Sequence, residues 1–374
     1  MTLILAEGKQ VKIEPKGTYV IVAITKHGVE LARNFHAKFP QADLFYMSKF
    51  ERGDEDGRDI SLFEGNVRLL LPSLFKSYKG IIMIVSLGAV VRMVAPLLKD
   101  KKTDPGIVVI DDKGENVISV LSGHLGGANE LTREIAELLG ARSVITTASD
   151  VQKTIPVDLF GSRFGWVWES AEKLTPVSAA VVNEEQVAII QESGEKEWWT
   201  YDRPLPDTIK VYPTIDDALE AKPNAALVVT HRNLQESEQA ILQNGVMYRP
   251  KVIVLGIGCN RGTSMEEIDQ VIQETLSELQ YSVKSVKAIC SIDLKKDEEG
   301  LIAISQKNNW EFICYSADEL NRVSIDAPSD TVFKYTGAYG VSEPAARLYS
   351  GADSLSLTKK KSGNVTISVA VIIH

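Results

Sequence analysis

Residues 122–132, SGHLGGANELT, bring an imidazole and a carboxylate into one glycine-rich turn. His124 and Glu130 are side-chain types that commonly transfer protons in catalysis, and both are candidate catalytic residues. Glycine lets a ligand approach the main chain closely, and the NH groups at a helix N-terminus bind anionic or carbonyl oxygens. The turn therefore predicts a site for acid–base chemistry. Its candidate substrate-binding residues are Ser122, Gly123, Gly126, Gly127 and Asn129.

Structural interpretations of the same residues stay open. His124 can be a loop histidine that is hydrogen-bonded to main chain. Glu130 falls in the first turn of the following helix, where a carboxylate complements the helix dipole. Asn129 is a candidate N-cap of that helix.

A second glycine-rich turn, GIGCNRG at residues 256–262, follows a predicted strand and precedes a predicted helix. It is neither a dinucleotide fingerprint nor a phosphate-binding loop with a Lys-Ser/Thr pair. Asn260, Arg261 and Thr263 add side-chain donors to the turn, which would suit a ligand with carboxylates. We therefore treat these three residues and Gly258 as candidate substrate-binding residues, with a purely structural elbow as the alternative.

Three further segments carry charged residues. Arg92 lies among Val91, Met93 and Val94, where a solvated charge is less natural, so it is expected to point into a cleft. Glu343, in GVSEPAAR, is either a helix-terminus carboxylate or a catalytic one. The sequence 359–361, KKK, predicts an exposed basic turn between two strands.

These residues need elements to position them, and the N-terminal part alternates strand-like and helix-like segments. Strands are predicted at residues 80–86, 107–110 and 117–121, with helices at 63–78, 89–98 and 128–139. The pattern predicts an open, mostly parallel sheet with helices on both faces. Ligands bind such sheets at the carboxyl ends of strands, where Gly88 and the turn at 122–127 are both expected.

The chain is long enough for two or three domains, and we predict an α/β fold with boundaries at 1–150, 151–249 and 250–374. The middle domain is expected to be a small α/β or β-rich unit, with one of its short strands at 177–182. In the third, α/β domain, Ser264 and Glu267 fit a capping box that opens a helix at 265–279. A helix at 341–349 and a closing strand at 365–373 complete it.

Composition excludes several classes of function. The net charge of −9 argues against a nucleic-acid binder, and no apolar run reaches the ~20 residues of a membrane helix. The N-terminus lacks signal-peptide features, and three widely spaced cysteines form no disulfide framework, so a reducing cytoplasm is expected. No metal-binding signature and no GxSxG nucleophile elbow occur, so no bound metal is expected.

Taken together, these blocks resemble a known family. The segment LGAVVRMVAPLLKDKKTDPGIVVIDDKGENVISVLSGHLGGANELT, continuing to VITTASD, closely resembles the N-terminal domain of the CbiG family. The blocks GIGCNRGTSMEEI, SIDLKKDEEGL, GVSEPAARLYSGA and LTKKKSGNVTISVAV resemble that family's C-terminal domain, which is also similar to the stand-alone protein CobE. The blocks occur in the family's order, and the resemblance is diffuse only in the middle region.

The resemblance implies a cobalt-precorrin 5A hydrolase of anaerobic cobalamin synthesis. In this family the ring A acetate δ-lactone of a cobalt-corrinoid is opened and a two-carbon fragment leaves as acetaldehyde, which gives cobalt-precorrin 5B. The substrate carries the cobalt, so no cofactor is implied. Because such a corrinoid bears many carboxylates, an acidic protein needs local cations, and Arg92, Lys102 and Arg261 are the candidates.

Two other classes of function stay open at this point. One is a tetrapyrrole-binding carrier of the same pathway without catalytic activity, and the other is a nucleotide-binding α/β protein. A homodimer and transient contacts with other enzymes of the pathway are compatible with the sequence, whereas nucleic acid and membrane partners are not expected.

Overall fold

The computed structural model describes residues 2–8, 11–325 and 327–374. The chain divides into two compact units, Met1–Asp158 (unit 1) and Leu159–His374 (unit 2). Helices accompany three sheets, which confirms the predicted α/β class. Among the described residues, every helix is too short or too polar to span a lipid bilayer.

Unit 1 is built on an eight-stranded sheet with helices on both faces. Its strands are β1 (Thr2–Ile4), β2 (Tyr19–Ala23), β3 (Ala42–Met47), β4 (Ile60–Glu64), β5 (Gly80–Ile84), β6 (Gly106–Ile110), β7 (Asn116–Leu121) and β8 (Arg142–Val144). Its helices are α1 (Lys26–His36), α2 (Leu71–Ser77), α3 (Leu87–Val94), α4 (Ala128–Leu139) and α5 (Ala148–Gln152). The strand order is β1-β4-β3-β2-β5-β6-β7-β8.

Both faces of this sheet are buried, as its central strands require. In β2, Ile21 and Ala23 pack into one apolar cluster, whereas Val20 and Val22 pack into the cluster on the opposite face. Strands buried on both faces are continuous apolar runs, typical of parallel sheets covered by helices. The predicted mostly parallel N-terminal sheet is therefore confirmed.

The direction of β7 determines where the two predicted ligand sites of unit 1 lie. The strands from β1 to β6 are parallel, but β7 is antiparallel to β6, and β8 follows the direction of β7. The carboxyl end of β7 therefore lies at the edge where β6 begins. Gly88 follows the carboxyl end of β5, so Gly88 and the turn at 122–127 occupy opposite edges of the sheet.

The predicted helix at 63–78 is wrong in its first half. Phe63 and Glu64 are the last two residues of strand β4, and Gly65 has a φ of 110°, which breaks any helix there. Helix α2 begins only at Leu71, with Pro72 in its first turn, where the missing NH group costs nothing.

Unit 2 begins with a five-stranded sheet of order β11-β10-β12-β13-β9. Its strands are β9 (Val167–Glu169), β10 (Val187–Gln191), β11 (Ile209–Tyr212), β12 (Ala225–Val229) and β13 (Gly245–Arg249), and its helices are α6 (Leu174–Val182) and α7 (Ile215–Ala221). The predicted strand at 177–182 is wrong, because it belongs to α6. The buried residues Leu174, Val177 and Val181 recur at helical spacing, and Ala179 and Ala180 favour a helix.

The second sheet of unit 2 has the order β16-β15-β14-β18-β17. Its strands are β14 (Ile253–Cys259), β15 (Val286–Ile292), β16 (Glu311–Tyr315), β17 (Leu357–Ser362) and β18 (Val365–Val371). Its helices are α8 (Met265–Glu278), α9 (Glu299–Asn308), α10 (Ala317–Asn321), α11 (Asp330–Thr336) and α12 (Ser342–Ser350). Helices α8 and α12 and strand β18 follow the predicted elements closely, and Ser264 accepts the predicted capping bond from the Glu267 NH.

Main-chain hydrogen bonds join the two halves of unit 2. The Asn233 NH donates to the Gln280 carbonyl at 2.7 Å, and the Ser282 NH donates to the His231 carbonyl at 2.8 Å. The predicted middle and C-terminal domains therefore form one compact unit. The three predicted domain boundaries stay a prediction.

Gly256 allows helix α12 to lie directly against β14. A Cβ atom at this position would stand 1.8 Å from the Ser342 carbonyl oxygen, whereas one on Gly258 would meet the Val341 Cβ at an ordinary 3.6 Å. We expect Gly256→Ala to lower the free energy of unfolding of unit 2 by about 2–3 kcal/mol, because backbone must shift in a packed core. Urea unfolding followed by tryptophan fluorescence measures it, since all five tryptophans lie in unit 2. Equal destabilisation by the control Gly258→Ala would contradict this explanation.

Candidate functional site

The turn after β7 is held by its own main-chain hydrogen bonds. The Gly127 NH donates to the His124 carbonyl at 2.8 Å, and the Asn129 NH donates to the Gly123 carbonyl at 2.9 Å. A Cβ atom on Gly126 would stand 2.3 Å from the Ser122 Cβ, so the turn needs glycine there for its own packing. Ser122 itself has a φ of 53°, a costly backbone conformation for a residue other than glycine. The turn is thus a tightly constrained element.

Two donors of this turn stay available for a ligand. Within the described part of the chain, the main-chain NH groups of Leu125 and Gly126 donate to no acceptor. NH groups fixed by a rigid turn can stabilise a developing oxyanion. The turn therefore has the donors that the sequence predicts for it.

His124 is fixed between two carboxylates. Its Nδ1 lies 2.8 Å from Asp158 Oδ1, and its Nε2 lies 2.9 Å from Asp150 Oδ2. Burial alone would lower the pKa of the imidazole, but the hydrogen bonds to Asp150 and Asp158 outweigh it and raise that pKa to about 9. His124 is therefore an imidazolium at neutral pH, so it acts as a donor and a positive charge rather than as a base.

Asp150 connects this histidine to helix α4. Burial opposes its ionisation, but its bonds to His124 and Arg133 hold the pKa of the carboxyl below its ordinary value. Its Oδ2 also accepts a hydrogen bond of 2.9 Å from the Asn129 amide. Asn129 is buried, and its side-chain amide also bonds Ser119 and Thr147. The predicted N-cap role of Asn129 is wrong, because Gly127 holds the N-cap position and Asn129 points inward.

Glu130 lies on the solvent-exposed side of this hydrogen-bond network. Its side chain is 82% exposed and pairs with Arg133 at 3.2 Å in the first turn of α4. This position matches the interpretation in which the carboxylate complements the helix dipole.

The other predicted residues of unit 1 divide between the two edges of the sheet. Arg92 is exposed, and its guanidinium donates to the Gly88 carbonyl at 3.0 Å, so it closes a helical turn rather than entering a cleft. Lys102 lies in the loop before β6, where its NH donates to Asp100 at 2.8 Å. The same loop approaches the turn, since a Cβ on Gly126 would lie 3.2 Å from the Asp104 carbonyl.

Two histidines are expected to titrate in opposite directions. Burial lowers the pKa of His231 to about 4, whereas the pKa of His124 is about 9. At pH 7 we therefore expect His124 to be charged and His231 to be neutral. Because the pKa of His124 is higher in the folded state than its ordinary value of about 6.5, its stabilising contribution is complete below pH 6.5 and is lost as pH rises through about 9.

An NMR titration of histidine-labelled protein measures both pKa values. A His124 resonance that titrates below pH 7 would contradict the fixed pair of carboxylates. His231 provides the internal reference. Its ring packs edge-on against Tyr281, with the two ring centroids 4.7 Å apart.

In unit 2, a cavity of about 690 Å³ lies where β14 and β15 end. This is the carboxyl edge of parallel strands, the usual ligand-binding edge. Three of the predicted binding residues, Gly258, Asn260 and Arg261, line it, and so does Glu343. Thr263 lies instead in a neighbouring cavity of about 420 Å³, which Arg261 also lines.

The charges around the larger cavity are mainly positive. Arg261, Lys295, Lys359 and Lys361 line it, and Glu343 is the one carboxylate among its described lining residues. The Glu343 side chain is only 8% exposed and lies 3.3 Å from Arg347.

Some of the side chains predicted to bind substrate form hydrogen bonds or ion pairs within the protein instead. The Thr263 hydroxyl donates to the Asn260 carbonyl at 2.8 Å, and the Asn260 amide donates to Asn364 at 2.7 Å. Arg261 pairs with Asp297 at 2.7 Å. Arg261 also lies 3.5 Å from the buried Glu298, so two carboxylates already offset its charge, although its side chain is 59% exposed.

Sequence reasoning missed several residues of this cavity. The predicted basic turn at 359–361 is wrong, because these lysines lie inside strand β17. Lys295 and Tyr335 are not among the predicted site residues, although the alternating charges of residues 291–301 can fix one lysine inside a site; no local signal marks Tyr335. Among the described residues, no group of three or more His, Cys, Asp or Glu side chains is arranged to hold a metal ion.

Comparison with known proteins identifies three matching family models along the chain. They are described as cobalamin synthesis G N-terminal, at residues 70–150, cobalamin biosynthesis central region, at 155–250, and cobalamin synthesis G C-terminus, at 253–370.

Similar proteins carry consistent names. The chain is 70% identical over 98% of its length, and over 98% of the relative, to a cobalt-precorrin-5A hydrolase of Priestia megaterium. It is 32% identical to a cobalt-precorrin-5A hydrolase of Salmonella typhimurium, over 94% of this chain and 97% of that one. It is also 29% identical to protein CobE of a Sinorhizobium species, over 29% of this chain and 71% of CobE.

Proposed function

The chain belongs to the CbiG family of cobalamin-synthesis proteins, and from this we infer that it is a cobalt-precorrin-5A hydrolase. The observation that carries the inference is the 70% identity, over nearly the full length of both chains, to a relative with that name. A non-catalytic carrier is not favoured, because two relatives that match most of the chain are named as enzymes.

We propose that the reaction is the one that the family resemblance implies. Water adds to the carbonyl carbon of the ring A lactone, the ring C–O bond breaks, and the freed alkoxide takes a proton. That hydroxyl then loses its proton, the adjacent C–C bond breaks, and acetaldehyde leaves while the macrocycle takes the electron pair. The cobalt belongs to the substrate throughout.

We assign proton donation to His124. Its pKa of about 9 keeps it charged at neutral pH, so it can protonate the alkoxide and stabilise negative charge. One of its two carboxylate partners must move for the proton to reach substrate. The free NH groups of Leu125 and Gly126 are the proposed oxyanion donors.

As a separate candidate for proton transfer we propose Glu343, the buried carboxylate of the cavity in unit 2. The cations around that cavity support binding of a polycarboxylate substrate there. Glu130 carries no catalytic assignment and Arg92 no substrate-binding assignment, because both side chains are exposed on helices of unit 1. The expected cytoplasmic location, the homodimer and the contacts with other pathway enzymes stay predictions.

The test is acetaldehyde release. Purified full-length protein is incubated anaerobically with cobalt-precorrin 5A, and acetaldehyde is measured with alcohol dehydrogenase and NADH. Stoichiometric acetaldehyde with a product that has lost two carbons supports the function. Tight binding of authentic substrate without any aldehyde would overturn it.

A further inference from the structure

We propose that Lys359 and Lys361 form a carboxylate-recognition pair at the rim of the large cavity in unit 2. They would bind two peripheral carboxylates of the corrinoid. The inference rests on the proposed function for the identity of the ligand, but the pairing itself comes from the strand that carries the two lysines.

The geometry of β17 separates its three consecutive lysines. This strand is the edge of its sheet and pairs antiparallel with β18. Lys361 pairs with Thr366, which also lines the cavity, whereas Lys360 pairs with Ile367, whose side chain is buried in the apolar core against α8. Cross-strand partners share a face, so Lys361 and Lys360 point to opposite sides of the sheet.

Lys359 lies on the same side as Lys361, because residues two positions apart along a strand share a face. The register shifts between Leu357 and Lys360, as in a β-bulge, and Lys359 lines the cavity together with Lys361. At about 3.3 Å per residue, the two lysines stand roughly 6–7 Å apart along the strand, a spacing that suits two separate carboxylates.

Of the three lysines, only Lys360, on the opposite face of the sheet, pairs with a carboxylate of the protein. The Lys360 ammonium donates to Glu278 of α8 at 2.7 Å. Lys359 and Lys361 are exposed and form no ion pair with any residue in the described ranges. Two uncompensated positive charges on one wall of a cavity favour an anionic ligand.

Other lining residues supply an apolar surface to the same cavity. Tyr335 of α11 is 74% exposed, and Leu294 is 49% exposed, although both line the cavity. Ile325 and Val332 extend this lining. Adjacent exposed apolar side chains mark a binding surface. A ligand with a flat apolar body and an anionic periphery therefore fits the cavity, and a corrin with free carboxylates has that chemistry.

The experiment measures binding to the full-length protein by isothermal titration calorimetry. The probes are cobyrinic acid, a cobalt corrin with free peripheral carboxylates, and its fully methyl-esterified form. We expect the double variant Lys359→Ala/Lys361→Ala to bind the acid about tenfold more weakly at low salt, a loss of about 1.4 kcal/mol, because exposed ion pairs contribute modestly. Binding of the ester should change less than twofold, and high salt should reduce the difference for the acid.

Lys360→Ala is the matched control, because it removes the same charge from the same strand on the other face. We expect it to change binding of the acid less than twofold, and Lys359→Arg/Lys361→Arg to restore most of the affinity. Equal weakening by Lys360→Ala, or an unchanged double variant, would overturn the inference.

The outcome separates this inference from the hydrolase function. Lysine-dependent binding without acetaldehyde release from authentic substrate would support the pair and overturn the function. Acetaldehyde release with an unchanged KM in the double variant would support the function and overturn the pair.

Discussion

His124→Asn is expected to lower kcat for acetaldehyde release by about 1,000-fold. Asparagine keeps a hydrogen-bond donor in the position of the ring but carries neither the positive charge nor a transferable proton. Because the wild-type imidazolium loses its proton as pH rises through about 9, wild-type activity should fall over the same range. Single-turnover kinetics at several pH values measure both effects, and the residual activity of the variant should lack this alkaline fall.

The matched control for His124→Asn is His27→Asn, which makes the same change at an exposed position of α1 in the same unit. It should leave kcat within twofold. Far-UV circular dichroism must verify folding of the His124 variant, since unit 1 contains no tryptophan. A folded His124→Asn protein with near-normal kcat would show that His124 only holds the turn between Asp150 and Asp158.

Glu343→Gln is expected to lower kcat by at least 100-fold while it leaves binding of the corrinoid almost unchanged. Glutamine preserves the size of the side chain and its contact with Arg347 but cannot accept a proton from water. Parallel measurements of kcat and of the dissociation constant for cobyrinic acid separate catalysis from binding. A rise in KM with normal kcat would make Glu343 a binding residue instead.

Glu266→Gln is the matched control for the position of Glu343 in the first turn of a helix. Glu343 and Glu266 both lie in the first turn of a helix of unit 2, so each carboxylate complements a helix dipole. Glu266 is exposed and lies away from the cavity lining. Equal loss of activity in both variants would trace the effect to helix stability rather than to proton transfer.

The sequence predicts the strand–turn–helix around residues 122–127 because apolar runs, glycines and helical spacing are local signals. The charge state of His124 is not local. Its partners Asp150 and Asp158 lie 26 and 34 residues further along the chain, and only the fold brings them to the ring. Local sequence also cannot place Glu343 in a cavity. The sequence shows that Glu343 can be a helix-terminus carboxylate, but its position in the cavity depends on β14 and β17.

Where local prediction fails, a neighbouring element decides. At 177–182, β-branched residues favour a strand, but burial at helical spacing against the sheet selects α6. At 359–361, a run of lysines is typical of an exposed turn, yet pairing with β18 extends it as a strand and separates its side chains between two faces.

The position of β17 also bears on how this protein stays apart from other copies of itself. An edge strand presents unpaired NH and C=O groups that can pair with a strand of another molecule and start aggregation. Lysines and bulges on an edge strand are two of the devices that prevent such pairing. Lys359–Lys361 and the adjacent register shift supply both on this edge. The residues proposed to bind substrate would thus also protect the open side of the sheet, which limits how far their charge can be changed without loss of solubility.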